Sequence, residues 1–210
     1  MDELFAAIKA GDADRVRALL AEDRSRASAR DDAGLSAVLT ALYHRQGEVL
    51  EALLAAAPEL DVPEAAATGR LDVLRAQIEA DPDALDARSP DGFTPLHLAA
   101  FFGGAAAVRL LLAAGMAADA DQANPARVRP LHSAVAARDH DAARALLEAG
   151  ADPDARQQGG YTPLLAAAHS DDAEMVELLL AHGADRALAA DDGRDPAAMA
   201  GPKAAPLLRS

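Results

Sequence analysis

Apolar residues recur with helical spacing in short stretches of this chain. In residues 108–112 and again in 176–180, a valine is followed by leucines three and four positions later. That spacing places the apolar side chains on one stripe of an α-helix. A glycine follows each stripe, and glycine suits the left-handed residue that ends a helix. These glycines are Gly115 and Gly183, and Gly150 follows a third leucine pair at Leu146-Leu147. The pattern predicts short helices that are each apolar on one side.

A second pattern marks the start of another helix before each stripe. Thr94-Pro95-Leu96-His97 recurs as residues 129–132 and 162–165, with the prolines 35 and 33 residues apart. A threonine, serine or aspartate can cap a helix, and a proline after it has its φ preset for the first turn. The cap residues predicted in this way are Ser36, Thr94, Thr162 and Asp195. The motif positions with a predicted structural role are Thr94, Pro95, His97, Pro130, His132, Thr162 and Pro163.

The repeating unit resembles the ankyrin repeat. It is 33 to 35 residues long and has a Thr-Pro-Leu-His start, paired leucines and a closing glycine. Residues 91–100 are its best instance. The resemblance covers nearly the whole chain and implies an all-α solenoid of stacked helix–turn–helix units with short projecting β-hairpin turns. We expect one domain, because no unit can bury its apolar stripe alone. The approximate units are an N-terminal cap over 1–30, then 31–60, 61–88, 89–121, 122–156 and 157–189, and a C-terminal cap over 190–210.

Two places depart from the repeat. Only 24 residues separate Ala37 from Asp61, the two residues at the proline position, so we expect the projecting hairpin to be absent near 57–62. Residues 122–129 are longer than their counterparts and have Arg129 at the threonine position. We expect a displaced hairpin there.

Composition and net charge indicate which kind of macromolecule the protein could bind. The chain has 210 residues, of which alanine supplies about a quarter, and 34 acidic against 20 basic side chains give a formal charge of −14. Many small side chains favour closely approaching helices. The negative charge argues against phosphate-backbone binding, which needs clustered Lys and Arg. We therefore expect no nucleic-acid partner, and a protein partner with a basic patch.

The absence of cysteine excludes disulfides and thiolate chemistry. The residues at the start lack a basic region before an apolar run, and no stretch is long and apolar enough for a membrane span. Lys9 and Lys203 are the only lysines among many arginines, a bias typical of high-GC coding. We expect a bacterial, cytoplasmic monomer without a membrane association or a cofactor.

Candidate catalytic residues are few. In the ankyrin-repeat family the histidine at the positions of His97 and His132 is structural, bridging backbone groups of adjacent units. Ser133 follows His132 but lacks a nucleophile-elbow motif. The run Asp139-His140-Asp141 falls where a corner between helices is expected, which favours solvated polar residues over a metal site. The stretch 119–124 fails the calcium-loop pattern, and no phosphate loop is present. We predict no enzyme and no metal site.

The six aromatic residues are the informative signal for binding. Phe5 falls in the first helix and is expected in the core. The others fall at hairpin bases or at the sixth and seventh positions after the motif proline, where the resemblance implies an exposed, concave-facing surface that binds partners. The predicted partner-binding residues are Tyr43, His44, Phe93, Phe101, Phe102, Val128, Tyr161 and His169. Alternatively, Phe93 and Tyr161 only cover hairpin bases and Phe101 leans into the next unit.

These features favour a non-enzymatic protein–protein interaction module or adaptor that uses the concave face and the hairpin tips. One alternative is a protective or inhibitory factor, antitoxin-like or chaperone-like, for a basic client protein. A second alternative is a hydrolase with a site around His132, Asp139 and His169. Repeats of this kind host many roles, so the resemblance by itself names no partner.

Overall fold

The computed structural model describes residues 2–120 and 126–209. The chain forms two compact units, Met1–Glu64 and Ala65–Ser210. The described residues are helical and contain no strand, only an isolated antiparallel bridge between Arg30 and Ser36. Within these ranges no helix has both the length and the apolar character needed to cross a membrane.

The Met1–Glu64 unit is built from two helix pairs. Its helices are α1 (Asp2–Ala10), α2 (Ala13–Glu22), α3 (Ala37–Tyr43) and α4 (Gly47–Ala55), with a 3-10 turn at Arg24–Ser28. Helix α1 packs against α3, and α2 packs against α4, so like helices of the two pairs are neighbours. Ile8, Val16 and Leu53 are fully buried between them, and Phe5 is buried as the sequence predicts.

The Ala65–Ser210 unit continues the same plan. Its helices are α5 (Val62–Ala67, which begins in the preceding unit), α6 (Leu71–Ala80), α7 (Pro95–Leu98), α8 (Ala105–Ala113), α9 (Pro130–Ala137), α10 (His140–Glu148), α11 (Pro163–His169), α12 (Ala173–Ala181), α13 (Pro196–Met199) and α14 (Ala205–Leu208). The first helices α7, α9, α11 and α13 are successive neighbours. The second helices α6, α8, α10, α12 and α14 are successive neighbours as well. The all-α fold of stacked helix pairs is confirmed.

Side-chain caps start the first helices where the sequence predicts them. The Oγ of Ser36 accepts from Leu39 N at 3.1 Å, and the Oγ1 of Thr162 accepts from Leu165 N at 3.2 Å. Thr94 and Asp195 cap α7 and α13 in the same way. Arg129 has no acceptor in its side chain; instead, its own backbone N–H donates to His132 Nδ1 at 3.1 Å.

The glycines predicted to end helices are left-handed. Gly115, Gly150 and Gly183 have φ values of 101°, 91° and 90°. A left-handed residue there lets the chain turn back after the second helix at little steric cost.

The projecting hairpins are tight turns rather than paired strands. Ser89 N donates to Phe93 O at 3.0 Å, and Gln157 N donates to Tyr161 O at 2.9 Å. Adjacent turns are joined where Asp191 N donates to Gly159 O at 2.9 Å. The displaced hairpin predicted at 122–129 falls partly on residues 121–125, which lie outside the described residues.

A buried carboxylate, Glu64, follows residues 57–62, where the sequence predicts that the projecting hairpin is absent. Asp61 and Glu64 cap each other's backbone, with Asp61 N donating to Glu64 Oε2 at 2.7 Å and Glu64 N to Asp61 Oδ1 at 2.9 Å. Arg30 Nη2 lies 2.8 Å from Asp61 Oδ2 and 3.4 Å from Glu64 Oε1. Burial raises the pKa of Glu64, although hydrogen bonds from Ser36 and from Asp61 N and the charge of Arg30 oppose that rise.

Candidate functional site

Phe101 and Phe102 lie on an irregular end of a first helix. Helix α7 continues into a π-helical turn, Ala99–Gly103, and both rings are on that turn. Their centroids are 4.6 Å apart at an interplanar angle of 65°, an edge-to-face contact. Both side chains are half-buried. We call Phe101 and Phe102 the phenylalanine pair.

The turn after the phenylalanine pair depends on a missing side chain. A Cβ on Gly103 would clash with the carbonyl oxygen of Ala66. Gly104 then takes φ +79°, and its N–H donates to Ala99 O at 2.9 Å. Single π turns are frequent at functional sites. The backbone at this corner therefore packs directly on the preceding helix pair.

The other predicted aromatic residues of this unit lie at the hairpin bases. Phe93 is half-buried, with its ring centroid 5.7 Å from that of His97. Tyr161 is half-buried as well, and Arg194 Nη2 lies 3.0 Å from its hydroxyl oxygen. The half-buried Val128 accepts a hydrogen bond from His97 through its carbonyl group. Both hairpin bases are thus tied to neighbouring groups.

The remaining predicted residues end first helices. His169 is exposed at the end of α11. Tyr43 is half-buried and His44 is exposed at the end of α3, in the Met1–Glu64 unit. The five aromatic residues outside the N-terminal helix are therefore neither in the core nor fully exposed. Their role in binding a partner stays a prediction.

Both motif histidines are buried and bonded on each ring nitrogen. His97 Nδ1 lies 2.7 Å from Thr94 Oγ1, and Nε2 lies 2.8 Å from Val128 O. His132 Nδ1 accepts from Arg129 N, and Nε2 lies 3.3 Å from Tyr161 O. Burial lowers the pKa of His97 to about 4, and it lowers the pKa of His132 as well. Each neutral imidazole joins its helix to the next unit, as the resemblance implies.

Two residues of the hydrolase alternative, His132 and Asp139, have structural roles. Asp139 Oδ1 accepts from Ala142 N at 2.8 Å and so caps α10. Ser133 is buried beside His132, both of whose ring nitrogens face backbone groups. His169 is exposed at the end of another helix. In the part of the chain that the structure describes, no three His, Cys, Asp or Glu side chains are grouped to hold a metal ion.

The sequence does not predict an ion-pair network that lies between helices α10 and α12. Asp172 is 4% exposed and caps α12 by accepting from Met175 N at 3.2 Å. His140 Nε2 lies 2.9 Å from its Oδ1, and Arg138 Nε lies 3.1 Å from its Oδ2. Burial alone would raise the pKa of Asp172, but the bonds from His140 and Met175 N and the charge of Arg138 outweigh it and lower that pKa.

This network joins two successive helix pairs. The acidic run at 139–141 is not simply solvated, because its central histidine bonds across to the next unit. The signal available in the sequence is the 33-residue spacing of Asp139 and Asp172, which places both at the same corner position.

Comparisons with known proteins agree with this geometry. A family model described as "Ankyrin repeats (3 copies)" matches residues 62–157, and one described as "Ankyrin repeat" matches residues 159–192. The chain is 43% identical over 95 residues to "Neurogenic locus notch homolog protein 4" of Homo sapiens. That stretch covers 45% of this chain and 5% of the human protein. With the capped helix starts and bridging histidines at the matched positions, the chain belongs to the ankyrin-repeat family.

Proposed function

We propose that this chain is a non-enzymatic module that binds a protein partner through the ends of its first helices in the Ala65–Ser210 unit. Ankyrin repeats are protein–protein interaction modules in general. The adaptor role, the bacterial source, the cytoplasmic location and the monomeric state are predictions from the sequence. The partner is expected to carry a basic patch, because the chain has a formal charge of −14.

The observation that carries the proposal is the phenylalanine pair. The chain has only six aromatic residues, and two adjacent ones are half-buried together on a π turn instead of filling the core. Aromatic residues are enriched among those that dominate binding energy, where truncating one costs about 2 kcal/mol or more. A half-buried pair has ring surface left for a partner to cover.

Affinity capture from the native cell lysate, followed by mass spectrometry, tests the proposal. We expect Phe101→Ser with Phe102→Ser to abolish capture while circular dichroism shows an unchanged helical content. The matched control is Leu180→Ser, which changes a half-buried residue on the second helix α12 and should leave capture intact. Equal capture by the double variant and the wild type would contradict the proposal. Loss of the helical fold in the double variant would show that the rings are core residues.

A protective or inhibitory role toward a basic client is the second candidate, and the net charge favours it. Binding that depends on charge weakens steeply with salt, whereas aromatic anchoring tolerates it. A salt titration of the captured complex therefore separates the two roles. A steep loss of affinity between low and physiological ionic strength favours the client-protecting role.

Catalysis is not part of the proposal. The ring nitrogens of His97 and His132 face backbone carbonyls, a backbone N–H and a threonine hydroxyl, which leaves neither histidine placed as a general base. A hydrolase centred on His132 would lose activity in His132→Asn without losing stability. We expect the opposite: His132→Asn lowers stability, which a thermal melt measures.

A further inference from the structure

Two alanines separate the phenylalanine pair from an exposed histidine. Phe101, Ala136 and His169 are each six residues after a motif proline, and Phe102, Ala137 and Ser170 are each seven after it. Helix α9 packs against the π turn on one side and against α11 on the other. Ala136 is exposed and Ala137 is half-buried at the end of α9. We call this place the alanine notch: Ala136 and Ala137, flanked by the phenylalanine pair and by His169.

We infer a low place at the notch from the order of side-chain sizes along the first helices. Successive packed helices lie about 8–10 Å apart, so equivalent residues form a row across the first helices. In that row the middle helix contributes only methyl groups, while its neighbours contribute two phenyl rings and an imidazole. The floor is apolar and one wall is aromatic. Such a place accepts one bulky apolar side chain, which would contact the ring surface that the phenylalanine pair leaves exposed.

The charge beside the notch favours a basic neighbour on the partner. Arg138, directly after the notch, pairs with Asp172 at 3.1 Å. The carboxylate of Asp139 accepts from the backbone N–H of Ala142. The carboxylate of Asp171 accepts from the backbone N–H groups of Lys203 and Ala204. Among the described residues, neither carboxylate has an ion-pair partner. The Ala65–Ser210 unit as a whole has 21 acidic against 13 basic side chains, a formal charge of −8.

We propose that the alanine notch takes one bulky apolar side chain of a protein segment that carries arginine or lysine next to it. This inference rests on the proposed function and names the kind of segment that binds. The walls select the apolar residue through contact with the rings and the alanine floor. The carboxylates of Asp139 and Asp171 select the neighbouring cation.

Filling the notch is the test. The probes are peptides of about twelve residues, selected from a randomised display library against the full chain. We expect the selected peptides to share one bulky apolar residue beside arginine or lysine. Ala136→Leu should weaken their binding at least about tenfold, because the added side chain occupies the notch. Ala136→Ser, which keeps the notch open, should bind within about twofold of the wild type.

A matched control and a charge variant complete the design. Ala106→Leu makes the same change at an exposed alanine on the second helix α8 and should leave peptide binding unchanged. Asp171→Asn should weaken binding at low salt and reduce its salt dependence, because asparagine still accepts the two backbone bonds but carries no charge. Thermal melts of all variants check that the fold is retained.

The outcomes distinguish the notch from the proposed function. If Phe101→Ser with Phe102→Ser abolishes peptide binding while Ala136→Leu does not, the notch is wrong and the proposed function stands. If neither change alters binding, both are wrong. Selected peptides that are acidic, or a library that yields no binder, overturn the notch. A further outcome would overturn the notch: sedimentation shows that the wild type is a dimer and that Ala136→Leu is a monomer. The occupant of the notch would then be a second copy of the chain.

Discussion

Helices α7 and α11 begin alike and end differently. Both start with a threonine cap followed by proline. Helix α11 ends at His169, the left-handed residue after it is Asp171, with φ +52°, and Asp172 then caps α12. Helix α7 instead runs through the π turn to Gly103, and the left-handed residue is Gly104.

The difference shows two ways to hold the same corner. At the aspartate corner, side chains fix the chain: Asp171 accepts from two backbone amides of the C-terminal segment, and Asp172 binds Arg138 and His140. At the glycine corner no side chain is present, and Gly103 packs against the carbonyl of Ala66. The first corner depends on charge and hydrogen bonds, the second on close backbone contact.

The largest expected effect on stability concerns His97. The first four residues of the two motifs differ only there, because Leu165 takes the equivalent position before α11. Burial lowers the pKa of His97 to about 4, from 6.5 in an exposed histidine. The unfolded chain therefore binds the proton more readily, and about 3 kcal/mol of stability present above pH 6.5 is lost as the pH falls toward 4. Urea unfolding at several pH values should show a flatter profile for His97→Gln. His169→Gln, at an exposed histidine, should leave the profile unchanged; an equally flat profile there would contradict the assignment.

The glycine corner should not tolerate a methyl group. In Gly103→Ala the new Cβ would meet the Ala66 carbonyl oxygen, a backbone atom that moves only with its helix. We expect a loss of about 2 kcal/mol, the size typical of overpacking. Thermal melts measure it. The control is Gly47→Ala at the start of α4, where a Cβ meets nothing within 4 Å; an equal loss there would show that the corner is not special.

The aspartate corner should be sensitive to charge. Asp172→Ala removes a helix cap and the contacts with Arg138 and His140, and we expect a loss of about 1.5 kcal/mol. Asp139→Ala removes a cap alone and should cost about 1 kcal/mol. Denaturant unfolding compares the two. Equal losses would mean that the ion pairs contribute nothing.

The smallest expected effect on stability concerns the threonine caps with which α7 and α11 both begin. Thr94 Oγ1 faces both the backbone N–H and the Nδ1 of His97, whereas Thr162 Oγ1 faces only the backbone N–H of Leu165 among its described hydrogen bonds. A double-mutant cycle of Thr94→Ala with His97→Gln should give a coupling of about 0.5 kcal/mol. The same cycle on Thr162→Ala with Leu165→Met should be additive.

Local signals predict the fold well. Threonine before proline predicts the capped starts at Thr94 and Thr162, and glycine after a leucine stripe predicts the left-handed ends at Gly115 and Gly150. Each of these features depends on residues within a few positions of one another.

The sequence predicts less of the candidate site than of the fold. The resemblance to the ankyrin repeat implies that Phe101 and Phe102, six and seven residues after the motif proline, lie outside the Leu/Ala core. It does not predict the π turn under them or their edge-to-face contact. The bonds of His140 and Arg138 to Asp172 were likewise missed, because a run of polar residues at a corner looks the same whether it faces water or a neighbouring unit.

The sequence by itself determined where helices start and end, which of their faces are apolar, and that the protein is acidic, because caps, glycines and periodic apolar residues act within one or two turns of the chain. The tertiary structure alone decided the close approach of Gly103 to Ala66 and the pairing of Asp172 with Arg138 and His140. Each of those features joins residues about one repeat apart, and only packing sets that distance.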